Sequence, residues 1–152
     1  MLKHILSFQT KIISCLLGLL GVVACDNLVD MYGTPSATYK IKGTVVNEKD
    51  QPIKNIRAVI SDVPVESGWR TTKDTVYTNN SGEFNFSKDG LPFNEMKMAI
   101  ELTDIDGVEN GEYQSKADTI IFKRGDLSGG DGNWNEGTAT RDLGKIKLER
   151  KR

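Results

Sequence analysis

Apolar and polar residues alternate along most of the chain beyond residue 38, with the period of two that is typical of β-strands. In the first such segment, Tyr39, Ile41 and Val45 fall on one face, and lysines occupy positions between them. The pattern recurs in six further segments: 56–61, 75–78, 83–87, 96–102, 120–122 and 146–148. Clusters rich in Asn, Asp, Gly and Pro separate several of these segments, as turns would. About seven short strands are therefore predicted.

The segment from Met96 to Leu102 has a composition that also suits a helix, but its strict alternation favours a strand. No other segment indicates a helix, so we expect an all-β fold, an antiparallel β-sandwich of transthyretin-like or immunoglobulin-like type. The predicted domain spans residues 39–150. Within it, residues 123–142 are rich in glycine and acidic residues and are expected to form a long loop, either functional or disordered.

The N-terminus has a different pattern. A positively charged head that ends at Lys11 precedes an apolar run from Ile12 to Ala24. This run is shorter than the roughly 20 residues that a membrane-spanning helix needs. It matches the apolar core of a secretory signal peptide, which we assign to residues 1–24.

The end of this run, Val22-Val23-Ala24-Cys25, resembles the lipobox of bacterial lipoproteins. The resemblance implies that Cys25 receives a diacylglycerol, that the chain is cleaved before it, and that its new amino terminus is acylated. Ile12-Ile13-Ser14-Cys15 matches the same pattern locally. However, Lys11 stands immediately before this motif, so no apolar segment would hold the site at Cys15 in the membrane. Two or more fatty chains anchor a protein stably, so residues 25–38 are expected to be a tether beside a membrane. We expect the outer membrane of a Gram-negative envelope, on its periplasmic or surface face.

Composition then restricts the chemistry of the exported body. The only histidine, His4, and both cysteines lie within the first 25 residues. The body therefore lacks the groups for a Ser-His-Asp triad, a cysteine nucleophile, a Cys/His zinc site or a disulfide. No basic patch indicates nucleic-acid binding. We expect no enzyme; the alternative is a hydrolase built on carboxylates, for which the candidate acids are Glu109, Glu112, Asp126, Asp131 and Glu136.

Two stretches resemble the carboxypeptidase-regulatory-like, or transthyretin-like, sandwich. They are Lys42 to Asn47 with Pro52-Ile53 and Ile56, and the T-x-x-x-G-x-F turn from Thr78 to Phe84. The resemblance covers about residues 40–86 and implies that fold. The chain departs from the family in its first turn, where Asp50 and Asn55 stand at positions that are usually glycine.

The whole mature chain resembles the radical SAM-associated putative lipoprotein family. The resemblance rests on the lipobox and on four further stretches: 32–35 (YGTP), 37–39 (ATY), 74–78 (DTVYT) and 104–111 (DIDGVENG). It implies a small lipoprotein encoded beside a radical SAM enzyme, without an established biochemical role. We expect a binding or structural module that contacts an envelope protein or glycan. The alternative is a substrate or partner of the radical SAM enzyme, modified in the exposed loop 123–142.

Oxygen ligands are concentrated in the segment 103–115, where Asp104, Asp106, Asn110 and Glu112 could bind calcium. The spacing departs from that of an EF-hand, because Val108 takes the fifth position and Ser115 the twelfth. Asp and Asn are also common in ordinary turns, which is the competing interpretation.

Two further features suggest glycans. Thr75 and Thr119 each lie in an Asp-Thr-aliphatic triplet, which resembles the O-glycosylation sequon of Bacteroidetes but also reads as the start of a strand. Trp69 and Trp134 lie in predicted loops, where an indole could stack on a sugar or cover the end of the core.

Overall fold

The computed structural model describes residues 33–63 and 71–151. These residues form eight strands and two short 3-10 turns, at Gly107–Glu109 and Arg124–Asp126. The strands are β1 (Ser36–Val46), β2 (Ile56–Asp62), β3 (Lys73–Tyr77), β4 (Glu83–Gly90), β5 (Glu95–Asp104), β6 (Lys116–Lys123), β7 (Ser128–Gly129) and β8 (Asn135–Lys147). Among the described residues, no helix has the length and apolar character needed to cross a membrane.

The strands form two four-stranded sheets. Sheet A has the order β4-β1-β8-β7 and sheet B the order β3-β2-β5-β6. The predicted all-β sandwich is confirmed, and so is the assignment of the Met96–Leu102 segment to a strand, β5. The pairings are antiparallel except one: β1 and β8 run parallel in the middle of sheet A. Sheet A is therefore mixed, which the antiparallel prediction did not include.

Alternate residues of the central strands meet between the sheets and form the core. In β1, Tyr39, Ile41 and Val45 are almost fully buried, as their spacing predicted. They pack against the apolar faces of β2, β5 and β6 in one cluster. The rings of Tyr39 and Phe122 meet edge-on across the sandwich, with centroids 5.3 Å apart.

A buried threonine holds the turn that resembles the transthyretin-like family. The hydroxyl of Thr78 donates to the carbonyl of Ile53 at 2.8 Å and accepts the N–H of Ile56 at 2.9 Å. Gly82 has a φ of +72°, and a Cβ there would lie 2.5 Å from the carbonyl oxygen of Val45. The threonine and the glycine of the motif are therefore both explained by packing against the β1–β2 connection.

Asp50 and Asn55 adopt a backbone conformation that favours glycine. Both have a φ of 60°, in the left-handed region that glycine enters freely and that Asp and Asn tolerate better than other residues. Glycine would therefore fit the backbone at both positions without strain.

The predicted loop 123–142 is wrong over its second half, because β8 begins at Asn135. The inward positions at the start of β8 are Gly137, Ala139 and Arg141, so the strand lacks the large apolar residues that mark its neighbours. It forms nonetheless, because β1 on one side and β7 on the other supply hydrogen-bond partners. The segment without long strands is 124–134.

The predicted tether also ends earlier than expected. The compact unit that contains the sandwich begins at Pro35, and β1 begins at Ser36. Ala37 is only 1% exposed, so residues 36–38 belong to the domain. The predicted signal peptide, residues 1–24, lies outside the described residues.

Candidate functional site

The outward side of sheet B carries a mixed apolar and polar surface. The registers of β2 with β3 and β5, and of β5 with β6, place every second residue of these strands on it. We call this surface the sheet B face; its uncharged members include Val59, Thr75, Tyr77, Ala99, Thr119 and Ile121. Tyr77 is 55% exposed and Ile121 is 42% exposed. Arg57, Lys73, Lys97 and Lys123 also lie on this face, with Glu95 and Glu101 as its acids.

The outward side of sheet A has a different character. The registers of β1 with β4 and β8 place mainly polar residues on it: Thr38, Lys40, Lys42, Thr44, Glu83, Asn85, Ser87, Asp89, Thr138, Thr140 and Asp142. The apolar Val46, paired with Lys147 on the same side, is only 2% exposed. Charged pairs such as Lys42 with Asp142, 3.1 Å apart, lie on this surface. The N–H of Gly144 and the Lys42 ammonium lower the pKa of Asp142. The contrast makes the sheet B face the better candidate for binding, because apolar side chains at a surface favour contact with a partner.

Both predicted glycosylation residues lie on the sheet B face, near its opposite edges. Thr75 is in the middle of β3, and Thr119 is in β6, paired with Ala99 of β5. Both threonines are exposed. The triplets lie within strands, as the competing interpretation expected, and their modification stays a prediction.

The predicted calcium ligands hold a turn together in the structure. Asp104 accepts the N–H groups of Asp106, at 3.3 Å, and Tyr113, at 2.9 Å. Asp106 accepts the side-chain amides of Asn55 and Asn110. Glu112 is exposed, and its backbone carbonyl binds the N–H of Lys151. Within the described ranges, no three acidic, His or Cys residues come together as metal ligands would; calcium binding stays a prediction.

The acids of the hydrolase hypothesis have several local roles. Asp126 pairs with Arg141, and Glu136 pairs with Arg124. Asp131 accepts the N–H groups of Asn133, at 2.8 Å, and Asn135, at 3.2 Å, and so shapes the turn before β8. Glu109 and Glu112 are exposed in the turn after β5. These contacts give three of the five acids a structural role.

Two basic side chains that the sequence patterns did not indicate connect strands of the two sheets. Lys88 of β4 in sheet A binds Asp62, at the end of β2 in sheet B, and Thr72, just before β3. Arg141 lies over the ring of Phe122, at 5.6 Å, and its Nε donates to the carbonyl of Ile121 at 3.2 Å. A lone basic residue at an inward strand position is the sequence signal that could have indicated each contact.

The structure describes one of the two tryptophans. Trp134 is 37% exposed, just before β8, and its carbonyl accepts the N–H of Ser36 at 2.7 Å. Trp69 and the predicted lipidation residue Cys25 lie outside the described residues. A shallow surface depression of about 410 Å³ lies beside Trp134 and is lined by Arg124, Leu127, Gly130, Gly132, Asn133, Asn135 and Glu136.

The hydroxyl of the buried core residue Tyr39 has a backbone partner. Tyr39 donates to the carbonyl of Leu91 at 2.8 Å. Burial raises the pKa of this hydroxyl, because ionisation would place a charge against the core. It is therefore neutral at neutral pH and acts as a hydrogen-bond donor.

Comparison with known proteins supports the fold alone. No family model matches the chain, and no curated protein matches it. Among solved structures, a 3-chlorocatechol 1,2-dioxygenase from Rhodococcus opacus matches with a TM-score of 0.50 and 9% identity over 80% of this chain. A streptococcal ancillary pilin (TM-score 0.44, 9% identity, 74% of this chain) and a 9R-lipoxygenase from Cyanothece (0.34, 18%, 72%) also match.

The chain spans 62%, 32% and 16% of these three proteins, respectively. The dioxygenase match agrees with the two-sheet architecture, and the other two are too distant to support an argument.

Proposed function

We propose that this chain is a lipid-anchored lipoprotein of a Gram-negative cell envelope that serves as a binding or structural module at the outer membrane. The observation that carries the proposal is the small number of residues between Cys25, the cysteine of the lipobox-like motif, and the first strand of the sandwich. Only ten residues separate Cys25 from Ser36, and at about 3.3 Å per residue they reach at most roughly 36 Å. Such a tether would hold the sandwich beside the membrane, within reach of other envelope components.

The surface chemistry supports binding through sheet B. The sheet B face combines Tyr77 and Ile121 with smaller apolar residues, whereas the paired positions on the outward side of sheet A are polar except for Val46, which is only 2% exposed. An envelope protein or a glycan would find apolar and aromatic contact area on the first surface only.

The anchor is tested by comparing two matched substitutions in cells. Cys25→Ser removes the thiol that lipidation needs, so we expect the protein to leave the membrane fraction and to lose the mass of the fatty chains. Cys15→Ser changes the rejected cysteine and should alter neither property. Membrane association and an intact-mass shift that persist in Cys25→Ser would contradict the proposal.

A second candidate function, substrate of a radical SAM enzyme, is favoured by the exposure of one segment. Every residue of the segment 128–135 is exposed, and Gly129 and Gly132 have a positive φ with open space where a Cβ would lie. An enzyme could reach this segment without unfolding a central strand. Because β8 begins at Asn135, the candidate region for modification becomes residues 124–134 instead of 123–142.

Peptide mass mapping tests this second function. Protein isolated from cells that express a radical SAM enzyme encoded beside this chain should carry a mass change or crosslink in residues 124–134. Protein from cells without that enzyme should not. Identical masses from the two sources would exclude it.

A further inference from the structure

The outer edge of β3 has backbone groups that no described residue binds. Thr78 donates its N–H to the carbonyl of Ile56, and the carbonyl of Thr72 accepts the N–H of Asp62. Even-numbered positions along this segment therefore bond to β2. Because hydrogen-bonded and non-bonded positions alternate in an antiparallel ladder, the N–H and C=O groups of Lys73, Thr75 and Tyr77 point away from β2.

The opposite edge of the same sheet is closed by side chains. In β6, the N–H of Thr119 donates to Asp118 at 2.7 Å, and the N–H of Lys123 donates to Asp126 at 2.8 Å. The carbonyl of Ile121 accepts Nε of Arg141 at 3.2 Å. An unpaired strand edge is a template for pairing. Side chains block such pairing at β6, whereas no described residue blocks it at β3.

We propose that β3 pairs antiparallel with β3 of a second copy of this chain, which extends sheet B across a twofold axis at Thr75. Only this register uses all three outward residues of both strands. Thr75 then faces Thr75, and each Lys73 faces Tyr77 of the other copy. Six backbone hydrogen bonds form, two for each facing pair.

The side chains of β3 suit this register. Tyr77 is 55% exposed and lies on the same face of the strand as Lys73. The facing lysine would cover the tyrosine ring with its methylene stem and place its ammonium near the ring, an attractive arrangement. No two like charges face one another in this register. A five-residue strand gives a small interface, so the association is weak and depends on concentration.

Sedimentation of the full chain isolated from cells, in detergent and over a range of concentrations, tests the proposal. Wild-type protein should form dimers as its concentration rises. Thr75→Pro removes an N–H that points away from β2, so it should spare the β2–β3 ladder and weaken dimerisation about tenfold or more. A wild-type chain that remains monomeric would overturn the proposal and leave this edge to a different protein or to none.

Ser87→Pro is the matched control, because it removes an outward N–H from the other open edge strand. The N–H of Val45 bonds to the carbonyl of Gly82, and the alternation along β4 then turns Ser87 away from β1. Dimerisation should be unchanged in this variant. Equal loss in both proline variants, or loss in Ser87→Pro alone, would reject the assignment to β3.

Thr75→Lys supplies a second variant in case proline disturbs folding, which circular dichroism reports. Two lysines would face each other at the twofold axis and weaken the dimer, and high salt should restore it because salt screens their repulsion. Folded Thr75→Lys protein that dimerises like the wild type at low salt would also overturn the proposal.

Discussion

The two long sides of the sandwich are closed in different ways. On one side, which we call the closed side, β6 and the β7–β8 pair are joined by arginines: Arg141 reaches Asp126 and the carbonyl of Ile121, and Arg124 reaches Glu136. On the other side, the open side, β3 and β4 contact each other across the two sheets. There Lys88 binds Asp62 and Thr72, and the outer edge of β3 remains unpaired by described residues. The two sides of one sandwich can therefore differ in how far side chains occupy the backbone groups of their edge strands.

The largest expected effect comes from breaking the closed side at Gly137. This residue has a φ of +101°, and a Cβ would lie 2.2 Å from the carbonyl oxygen of Ser128. Gly137→Ala should therefore separate β7 from β8 and lower the free energy of unfolding by about 3 kcal/mol. Urea unfolding measures the change.

Gly129→Ala is the control for Gly137→Ala. Gly129 also has a positive φ, +74°, but nothing lies within 4 Å of its added Cβ. Gly129→Ala should lower the free energy of unfolding by only about 1 kcal/mol, because the alanine would strain the left-handed backbone without a steric clash. Similar losses in both variants would show that the close approach of β7 to β8 has no energetic role.

The second-largest expected effect concerns the ion pair between Lys88 and Asp62 on the open side. The side chains of Lys88 and Asp62 are 20% and 21% exposed, so their attraction is only partly screened. Lys88→Met should lower the free energy of unfolding by about 2 kcal/mol, because Asp62 is left partly buried without its cation.

A double-mutant cycle with Asp62→Asn isolates the Lys88–Asp62 contact. We expect a coupling energy of about 1 kcal/mol, measured by urea unfolding of the two single variants and the double variant. Additive losses would mean that this pair does not join the sheets.

The smallest expected effect concerns Arg141 on the closed side. Arg141→Lys keeps the charge but loses the planar guanidinium, which contacts both Asp126 and the carbonyl of Ile121. We expect it to lower the free energy of unfolding by about 1 kcal/mol. Arg124→Lys changes the more exposed arginine, whose side chain is 53% exposed, and should stay within about 0.5 kcal/mol. Thermal unfolding of both variants distinguishes them, and an equal cost would contradict a special role for Arg141.

Strands β5 and β8 show how far the sequence predicts this fold. In β5, the inward positions Met96, Met98, Ile100 and Leu102 are all apolar, and their alternation predicted a strand in spite of a helix-like composition. In β8, the inward positions begin with glycine, alanine and arginine, so the same rule predicted a loop. Hydrophobic alternation reports the burial of large side chains, and a strand that is held by its neighbours' backbones need not show it.

The candidate surface was less predictable than the strands. The Asp-Thr-aliphatic triplets indicate Thr75 and Thr119 separately, but the position of both residues on one face depends on the sheet order β3-β2-β5-β6. The acidic cluster of residues 104–112 was also visible in the sequence. Its hydrogen bonds to Asn55 and Tyr113 were not, because the first comes from a distant turn and the second from a backbone group.

The sequence by itself determined which residues of β1, β2, β4, β5 and β6 face the core, where several turns lie, and that the body beyond Cys25 lacks imidazole and thiol groups. These properties follow from local periodicity, local backbone preference and composition. Only the tertiary structure decided that β1 and β8 run parallel, that Tyr77 and Ile121 share one face of sheet B, and that side chains cap the edge of β6 whereas no described residue caps the edge of β3. Side-chain period specifies a face but not a neighbour, because strand pairing depends on backbone groups that every residue carries alike.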